Sequence, residues 1–217
     1  MMLKLYDYWR SSAAYRVRIG LNLKGVDYAS VPVNIMPGVD EQMHAPYRDL
    51  NPQMRVPALE TPQGVLTQSL AILVWLDQTY PEPRLVPADP FAGAQVRSFA
   101  LTVGCDIHPL NNTSVLTRIK LQFGADDDHV GEWYRHWISV GFAALEAQAV
   151  QRPETEYAFG DAPGLADIML VPQMANARRF KTDLTPFPRL SAWDERARAH
   201  PAFIKAAPEN QKDAPKK

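Results

Sequence analysis

The chain has 217 residues, enough for one large domain or two modest ones. With 46% hydrophobic residues it can bury a sizeable core, and nineteen prolines against eleven glycines point to pinned turns rather than low-complexity disorder. Twenty-three basic against twenty-four acidic residues leave a net charge of −1, so nothing global favours nucleic acid or an anionic membrane.

In chain order, residues 3–7 read as a strand. Lys4 and Asp7 interrupt this start, which therefore lacks the apolar stretch of a secretory signal. Residues 14–24 carry Ala14, Val17 and Leu21 at the spacing of one helix face, and Gly25 suits the position just past the helix end. Residues 28–33 form a second strand. Residues 57–60 and 65–66, separated by Thr61-Pro62-Gln63-Gly64, read as a hairpin. Residues 69–80 hold the longest uninterrupted apolar run, Leu70 to Leu76, far short of the roughly 20 residues that span a bilayer. Ser69 as N-cap and Pro81 as a stop make this segment a helix. Being apolar all round, it should be covered on more than one side. The order is β-α-β, a connection, then β-β-α. A helix between the first two strands makes them parallel with a right-handed crossover, and the hairpin is antiparallel. This is the thioredoxin-like α/β arrangement.

Strand signals stop after the proline-punctuated residues 81–90. Val96, Phe99, Ala100, Val103 and Ile107 keep a helical period, as do Val130, Trp133, Tyr134, Trp137, Ile138, Gly141, Phe142 and Leu145. Asp126-Asp127-Asp128 lies where the positive end of the latter helix welcomes acid. With His129 it matches no standard metal spacing, so no metal is expected. A third helix runs from Leu165 towards Phe180, broken or bent at Pro172. The expected division is a thioredoxin-like domain over 1–84, a linker over 85–92 and an all-α domain over 93–217. The polar tail after about residue 208 is expected to fray. A lone Cys105 cannot form an intrachain disulfide; it reads as inert packing in a protein of a reducing compartment.

Three places could handle an anion. Ser11 and Ser12 open a helix, where a hydroxyl either caps the backbone or donates to a thiolate. No Ser-His-Asp spacing accompanies them. Pro57 holds Val56 extended; this is ordinary turn chemistry or, with a cis bond, an open backbone edge for a short peptide. Gln68-Ser69 begins the apolar helix and either caps it or grips a carboxylate. Among the arginines, Arg10 precedes the serine pair. Arg178 and Arg179 are adjacent, so on a helix they diverge by about 100° and only one can face a cleft. Arginine forks suit carboxylates, whether of a ligand or of a surface ion pair.

Several motifs occur together in order: Arg10-Ser11-Ser12-Ala13-Ala14-Tyr15-Arg16-Val17-Arg18-Ile19, Leu50-Asn51-Pro52-Gln53, Val56-Pro57-Ala58-Leu59 and Gln68-Ser69-Leu70-Ala71-Ile72. Asp106-Ile107-His108-Pro109-Leu110-Asn111-Asn112 and Asn176-Ala177-Arg178-Arg179-Phe180 follow. On these the chain resembles the zeta class of glutathione transferases from Leu3 to about Pro208. The resemblance implies a cytoplasmic homodimeric enzyme with glutathione as cofactor. It places the thiol at Ser11 beside Ser12, the peptide backbone at Val56 and the γ-glutamyl end at Gln68-Ser69, with Gln53, His108 and Asn112 completing the groove. It gives Arg10 and Arg179 to a small acidic substrate with a cis double bond, and leaves Arg178 solvated. The implied reaction is isomerisation of maleylacetoacetate to fumarylacetoacetate by reversible thiolate addition. Thr113-Ser114 stands where the maleylpyruvate-specific branch carries two arginines, which favours maleylacetoacetate over maleylpyruvate. A conjugating or dehalogenating transferase and a non-catalytic adaptor of the same fold are the alternatives. Two residues depart from the family pattern. Ala13 replaces a cysteine beside the serines, and Gly164 replaces a Ser/Thr N-cap three residues before Asp167, at a cost of a few tenths of a kcal/mol.

Overall fold

The structure, a computed structural model, describes residues 2–216. They form two compact units, one holding the residues up to Arg84 together with those from His200 onward, the other Leu85–Ala199.

The first unit contains β1 (Leu3–Asp7), α1 (Ser12–Leu23), β2 (Tyr28–Pro32), α2 (Tyr47–Leu50), β3 (Ala58–Thr61), β4 (Gly64–Thr67) and α3 (Ser69–Thr79). The sheet order is β2-β1-β3-β4, with β1 parallel to β2 and antiparallel to β3, and β3 antiparallel to β4. This is the expected mixed sheet. Along β1 the inward positions are Leu3, Leu5 and Asp7. A carboxylate at such a position needs a partner; the fully buried Arg18 supplies it at 3.1 Å. Burial pushes the Asp7 carboxyl up, and the guanidinium opposes that rise. Helix α1 ends where the sequence predicts, with Gly25 at φ 63 donating to the Asn22 carbonyl at 3.1 Å.

Helices α1 and α3 meet in a repeating register. Arg16 reaches Ser69 at 3.5 Å, Gly20 lies against Leu73, and Lys24 pairs with Asp77 at 2.7 Å. The contacts advance four residues at a time on both helices in the same sense, so the two run parallel. A Cβ at Gly20 would overlap Leu73 Cδ2. The missing methyl sets their approach. Helix α3 buries Ser69, Ile72, Leu73 and Leu76, while Val74 on its far side stays 37% exposed. Within one chain it is therefore covered on one face, not on several.

The second unit contains α4 (Pro90–Leu101), a π-helical turn (Thr102–Ile107), α5 (Thr113–Phe123), α6 (Asp127–Val150), α7 (Leu165–Arg179) and α8 (Pro188–Ala199). Asp89 caps α4, which starts inside the segment expected as linker. Val96, Phe99, Ile107, Tyr134, Ile138 and Phe142 are buried, as their period predicts. Asp126 caps α6 by accepting the His129 N–H at 2.9 Å. Helix α7 runs through Pro172 without a break; Leu165 to Met174 are all buried, and that packing holds the helix across its missing backbone bond. Its start depends on the buried Asp167, which accepts from the N–H groups of Gly164 and Ala158, each at 2.9 Å. Burial pushes the Asp167 carboxyl up to about 6. Helices α5 and α8 are not expected from the sequence. No described helix is long and apolar enough to cross a membrane.

The chain end differs from expectation. Helix α9 (Pro201–Ala206) returns to the first unit, where Asn22 Nδ2 donates to the Ala202 carbonyl at 2.9 Å and Arg18 Nε to the Ala206 carbonyl at 3.0 Å. Beyond it, Gln211 Nε2 donates to the Lys205 and Ala207 carbonyls, and Asp213 accepts the Trp9 N–H at 2.9 Å. Residues expected to fray within the helical domain are thus tied to the sheet-bearing unit by polar side chains.

Candidate active site

Ser11 closes a turn at the end of β1, its N–H donating to the Tyr8 carbonyl at 2.9 Å. It is the N-cap of α1, and its Oγ accepts from the Ala14 N–H at 3.2 Å. A hydroxyl has two acceptor lone pairs and one proton. Capping uses a lone pair, so the proton remains available to an anion, and the two readings of Ser11 are compatible. Ser12 is the first residue of α1, half-buried like Ala13 beside it.

The Val56–Pro57 bond is cis. The Val56 side chain packs with Tyr8, Val33, Tyr47 and Ala58. Just before it, the Arg55 carbonyl accepts from Tyr47 Oη at 2.5 Å and from Asn51 Nδ2 at 2.7 Å. Burial pushes the Tyr47 hydroxyl up to about 12, so it keeps the proton it donates. The backbone at Val56 is held rigidly, with both of its polar groups unpaired among the described residues.

Gln68, not Ser69, is the N-cap of α3. Its backbone at φ 68 and ψ 115 lies in a region that costs a non-glycine residue about 1–3 kcal/mol. The Gln68 side chain does not cap; it donates to Gln53 Oε1 at 3.0 Å, joining two of the residues singled out from sequence. The first bond of the helix runs from the Ile72 N–H to the Gln68 carbonyl at 3.0 Å. The N–H groups of Ser69, Leu70 and Ala71 have no acceptor among the described residues. Side chains of Ser11, Asp89, Asn112 and Asp126 close the starts of α1, α4, α5 and α6, so this open start stands apart. Behind it sits Arg16, 2% exposed, with Nη1 against Ser69 Oγ. Sequence reasoning did not single out Arg16, which reads there as one polar residue of a helix. Because α1 and α3 are parallel, their positive ends face the same way. A molecule carrying a thiolate at one point and a carboxylate at another suits this field.

In the helical unit, His108 ends the π turn, its N–H donating to the Val103 carbonyl at 2.9 Å. Such turns recur at functional sites. The following loop is pinned by α6, with Trp133 Nε1 donating to the Leu110 carbonyl at 2.9 Å and Asn111 Nδ2 to the Tyr134 carbonyl at 3.2 Å. Asn112 caps α5, its Oδ1 accepting from the N–H and the Oγ–H of Ser114, both at 3.0 Å. Its amide NH₂ has no partner among the described residues. Cys105 is exposed on the π turn, not packed as expected, because that turn presents it outward.

The two adjacent arginines diverge. Arg179 is exposed, with its guanidinium 4.9 Å from the centre of the Phe180 ring, which is itself stacked on Tyr134. Arg178 is exposed, in line with its expected solvation, and it also donates to the buried Asp194 carboxylate at 2.6 Å, a partner on α8 that Arg198 shares at 3.0 Å. Burial of Asp194 makes that pair obligatory. Arg10 is exposed, 5.6 Å from the centre of the Trp9 ring. Neither Arg10 nor Arg179 has a carboxylate within ion-pair distance among the described residues.

Residues 5–84 match the family model for the glutathione S-transferase N-terminal domain, and residues 141–196 that for the C-terminal domain. A maleylacetoacetate isomerase from Pseudomonas aeruginosa is 48% identical over 98% of this chain and 99% of its own length. The holo structure of a maleylpyruvate isomerase, a bacterial zeta-class glutathione S-transferase, is 47% identical over 98% of this chain and 100% of that one, with a TM-score of 0.95. A maleylacetoacetate isomerase from Methylobacterium extorquens AM1, solved with malonate and glutathione bound, is 36% identical over 98% of this chain and 100% of that one, with a TM-score of 0.93. With both domains matched and nearly the full length shared, the chain belongs to the glutathione S-transferase family, in its zeta class.

Proposed function

We propose that this protein is a glutathione-dependent isomerase that converts maleylacetoacetate to fumarylacetoacetate. The observation that carries the reading is the pair of parallel helix starts, one with an unspent Ser11 proton and the other with open N–H groups, flanking an unpaired Val56 backbone. These residues fit a short peptide with a thiol and a carboxylate. Bound glutathione supplies a thiol nucleophile whose reversible addition to the substrate alkene removes the barrier to rotation.

The chain's own groups do the rest. Ser11 donates to the sulfur, and Ser12 and the positive end of α1 add to the field that holds a thiolate. Val56 pairs with the peptide backbone. Gln53, Gln68, Ser69 and the open end of α3 hold the γ-glutamyl carboxylate, with the Arg16 charge behind them. The family resemblance assigns His108 and the Asn112 amide to the same ligand. The resemblance gives the substrate carboxylates to Arg10 and Arg179, neither of which has a carboxylate partner among the described residues; malonate in the Methylobacterium relative supports a dicarboxylate ligand. Ala13 offers no thiol, and this chemistry asks for none. A homodimer is supported by the exposed apolar side of α3 at Val74, and a reducing, cytoplasmic setting by the free Cys105.

A second reading, maleylpyruvate as substrate, is favoured by the 47% identity to the maleylpyruvate isomerase. Against it stands Thr113-Ser114, short and uncharged at the head of α5. Assays on both substrates, with and without glutathione, test the proposal. The expected result is turnover only with glutathione and preference for maleylacetoacetate, with the gap narrowed by Ser114→Arg. Full activity after removal of small thiols overturns the glutathione role, and preference for maleylpyruvate overturns the substrate.

A further inference from the structure

The turn that carries both Arg10 and Ser11 runs from Tyr8 to Ser11 and is closed by a single backbone bond, Ser11 N–H to Tyr8 C=O at 2.9 Å. Its second residue, Trp9, is held from outside on both polar groups. The Trp9 N–H donates to Asp213 Oδ2 at 2.9 Å, and the Trp9 carbonyl accepts from Arg18 Nη2 at 3.0 Å. Arg18 also donates to Asp7 Oδ2 at 3.1 Å, to the Tyr8 carbonyl at 3.4 Å and to the Ala206 carbonyl at 3.0 Å. Asp213 is 204 residues from Trp9 in the chain, and no local force brings it there.

The segment bearing Asp213 is built for this contact. Gln211 Nε2 donates to the Ala207 carbonyl at 2.8 Å and to the Lys205 carbonyl at 3.0 Å, and the Ala214 N–H donates to the Gln211 carbonyl at 3.1 Å. The turn around Asp213 is thereby fixed before it meets Trp9. A bond from a charged acceptor to a backbone N–H is among the stronger ones. Here it falls on the peptide unit whose rotation would move Ser11 and, through the Trp9 ring beneath it, Arg10.

We propose that Asp213 is a positioning residue for the thiol-binding turn: its carboxylate, delivered by the C-terminal segment, fixes the Trp9 peptide and so aims the Ser11 hydroxyl at the glutathione sulfur. The proposal rests on the reading of Ser11 given above and goes beyond it, because it gives a catalytic consequence to a segment that composition alone expects to fray.

The test uses the full chain with glutathione and compares wild type, Asp213→Ala, Asp213→Asn and Ser11→Ala. Thiolate absorbance of bound glutathione is followed against pH, and kcat/KM is measured at neutral pH. Asp213→Ala is expected to move the bound thiol's pKa upward by about half a unit or more and to lower kcat/KM by about tenfold. Asp213→Asn keeps an oxygen for the Trp9 N–H and should stay within about twofold of wild type. A merely structural role would lower the melting temperature and leave the thiol's ionisation in the folded fraction unmoved. If Ser11→Ala shifts the thiol and Asp213→Ala does not, or if Asn rescues no better than Ala, the positioning role is overturned. If Ser11→Ala itself leaves the thiol unshifted, the underlying reading of Ser11 falls instead.

Discussion

Ser11→Ala removes both the acceptor that caps α1 and the proton assigned to the glutathione sulfur, and the two losses have separate readouts. The cap is the 3.2 Å bond from the Ala14 N–H to Oγ; losing it costs about 1 kcal/mol of stability. Losing a hydrogen bond to a charged group costs about 1.5–3 kcal/mol. At about 1.4 kcal/mol per unit, that raises the bound thiol's pKa by about 1–2 units and slows turnover at neutral pH by about 10- to 150-fold. Ser11→Asp divides the two effects. Its carboxylate can still accept the Ala14 N–H and suits a helix start, but it offers no proton and sets a negative charge beside the sulfur. It should therefore keep the stability of the parent while raising the thiol's pKa at least as far as alanine does. Ser12→Ala should be milder on both counts. Thiolate absorbance against pH, beside urea unfolding of the same samples, measures the two quantities independently. Thiol ionisation unchanged in both Ser11 variants, with stability lost in Ser11→Ala alone, would return this hydroxyl to capping and refute the argument.

Arg179→Ala should lower kcat/KM by about 10- to 150-fold with the KM for glutathione nearly unchanged; a loss confined to glutathione KM would assign this arginine to the wrong ligand. Gln68→Gly relieves the positive φ at the start of α3 and should stabilise the fold by about 1 kcal/mol while raising glutathione KM several-fold; a less stable variant would mean that the backbone there carries no strain. For Asp167, burial raises the carboxyl from the ordinary 3.8 to about 6. The folded chain holds this proton longer than the unfolded one. The contribution is therefore complete below about pH 3.8 and lost as pH rises through about 6, on the order of 3 kcal/mol. Urea unfolding between pH 4 and 7 should show that decline in wild type and not in Asp167→Asn; parallel curves would contradict it.

The thioredoxin-like half was legible because its signals are local: alternation in β1, Pro62 and Gly64 marking the hairpin, Gly25 past α1. The helices missed in the other half had weaker signals. Helix α5 fully buries none of its residues, and its short apolar stripe of Val115, Leu116 and Ile119 is only half-buried. In α8 the sequence Asp-Glu-Arg-Ala-Arg reads as solvated, yet Asp194 is buried against Arg178 and Arg198. The tail was misread for a related reason. Composition registers apolar area, whereas this segment is held by hydrogen bonds: Gln211 to carbonyls four and six residues back, and Asp213 to the Trp9 N–H, 204 residues away. At the site, the serines, Val56-Pro57 and the arginines were nameable from residue type. Arg16 was not, since only the parallel register of α1 and α3 turns it under Ser69. Nor was the identity of the α3 cap, because the left-handed backbone of Gln68 has no signature in side-chain type.

That register also governs which peptides can bind. With Arg16 on Ser69, Gly20 against Leu73 and Lys24 on Asp77, neither helix can slide along the other or draw away without breaking all three contacts. The two helix starts behave as the jaws of a caliper locked by the core, and the opening is set before any ligand arrives. On the binding mode proposed above, what such a gauge measures is reach: the distance from sulfur to γ-glutamyl carboxylate must match the jaws. A β-aspartyl analogue, one methylene shorter between its free carboxylate and the cysteine, should present that carboxylate at the wrong distance and be rejected by length, whereas changes at the glycine end lie outside the measured interval.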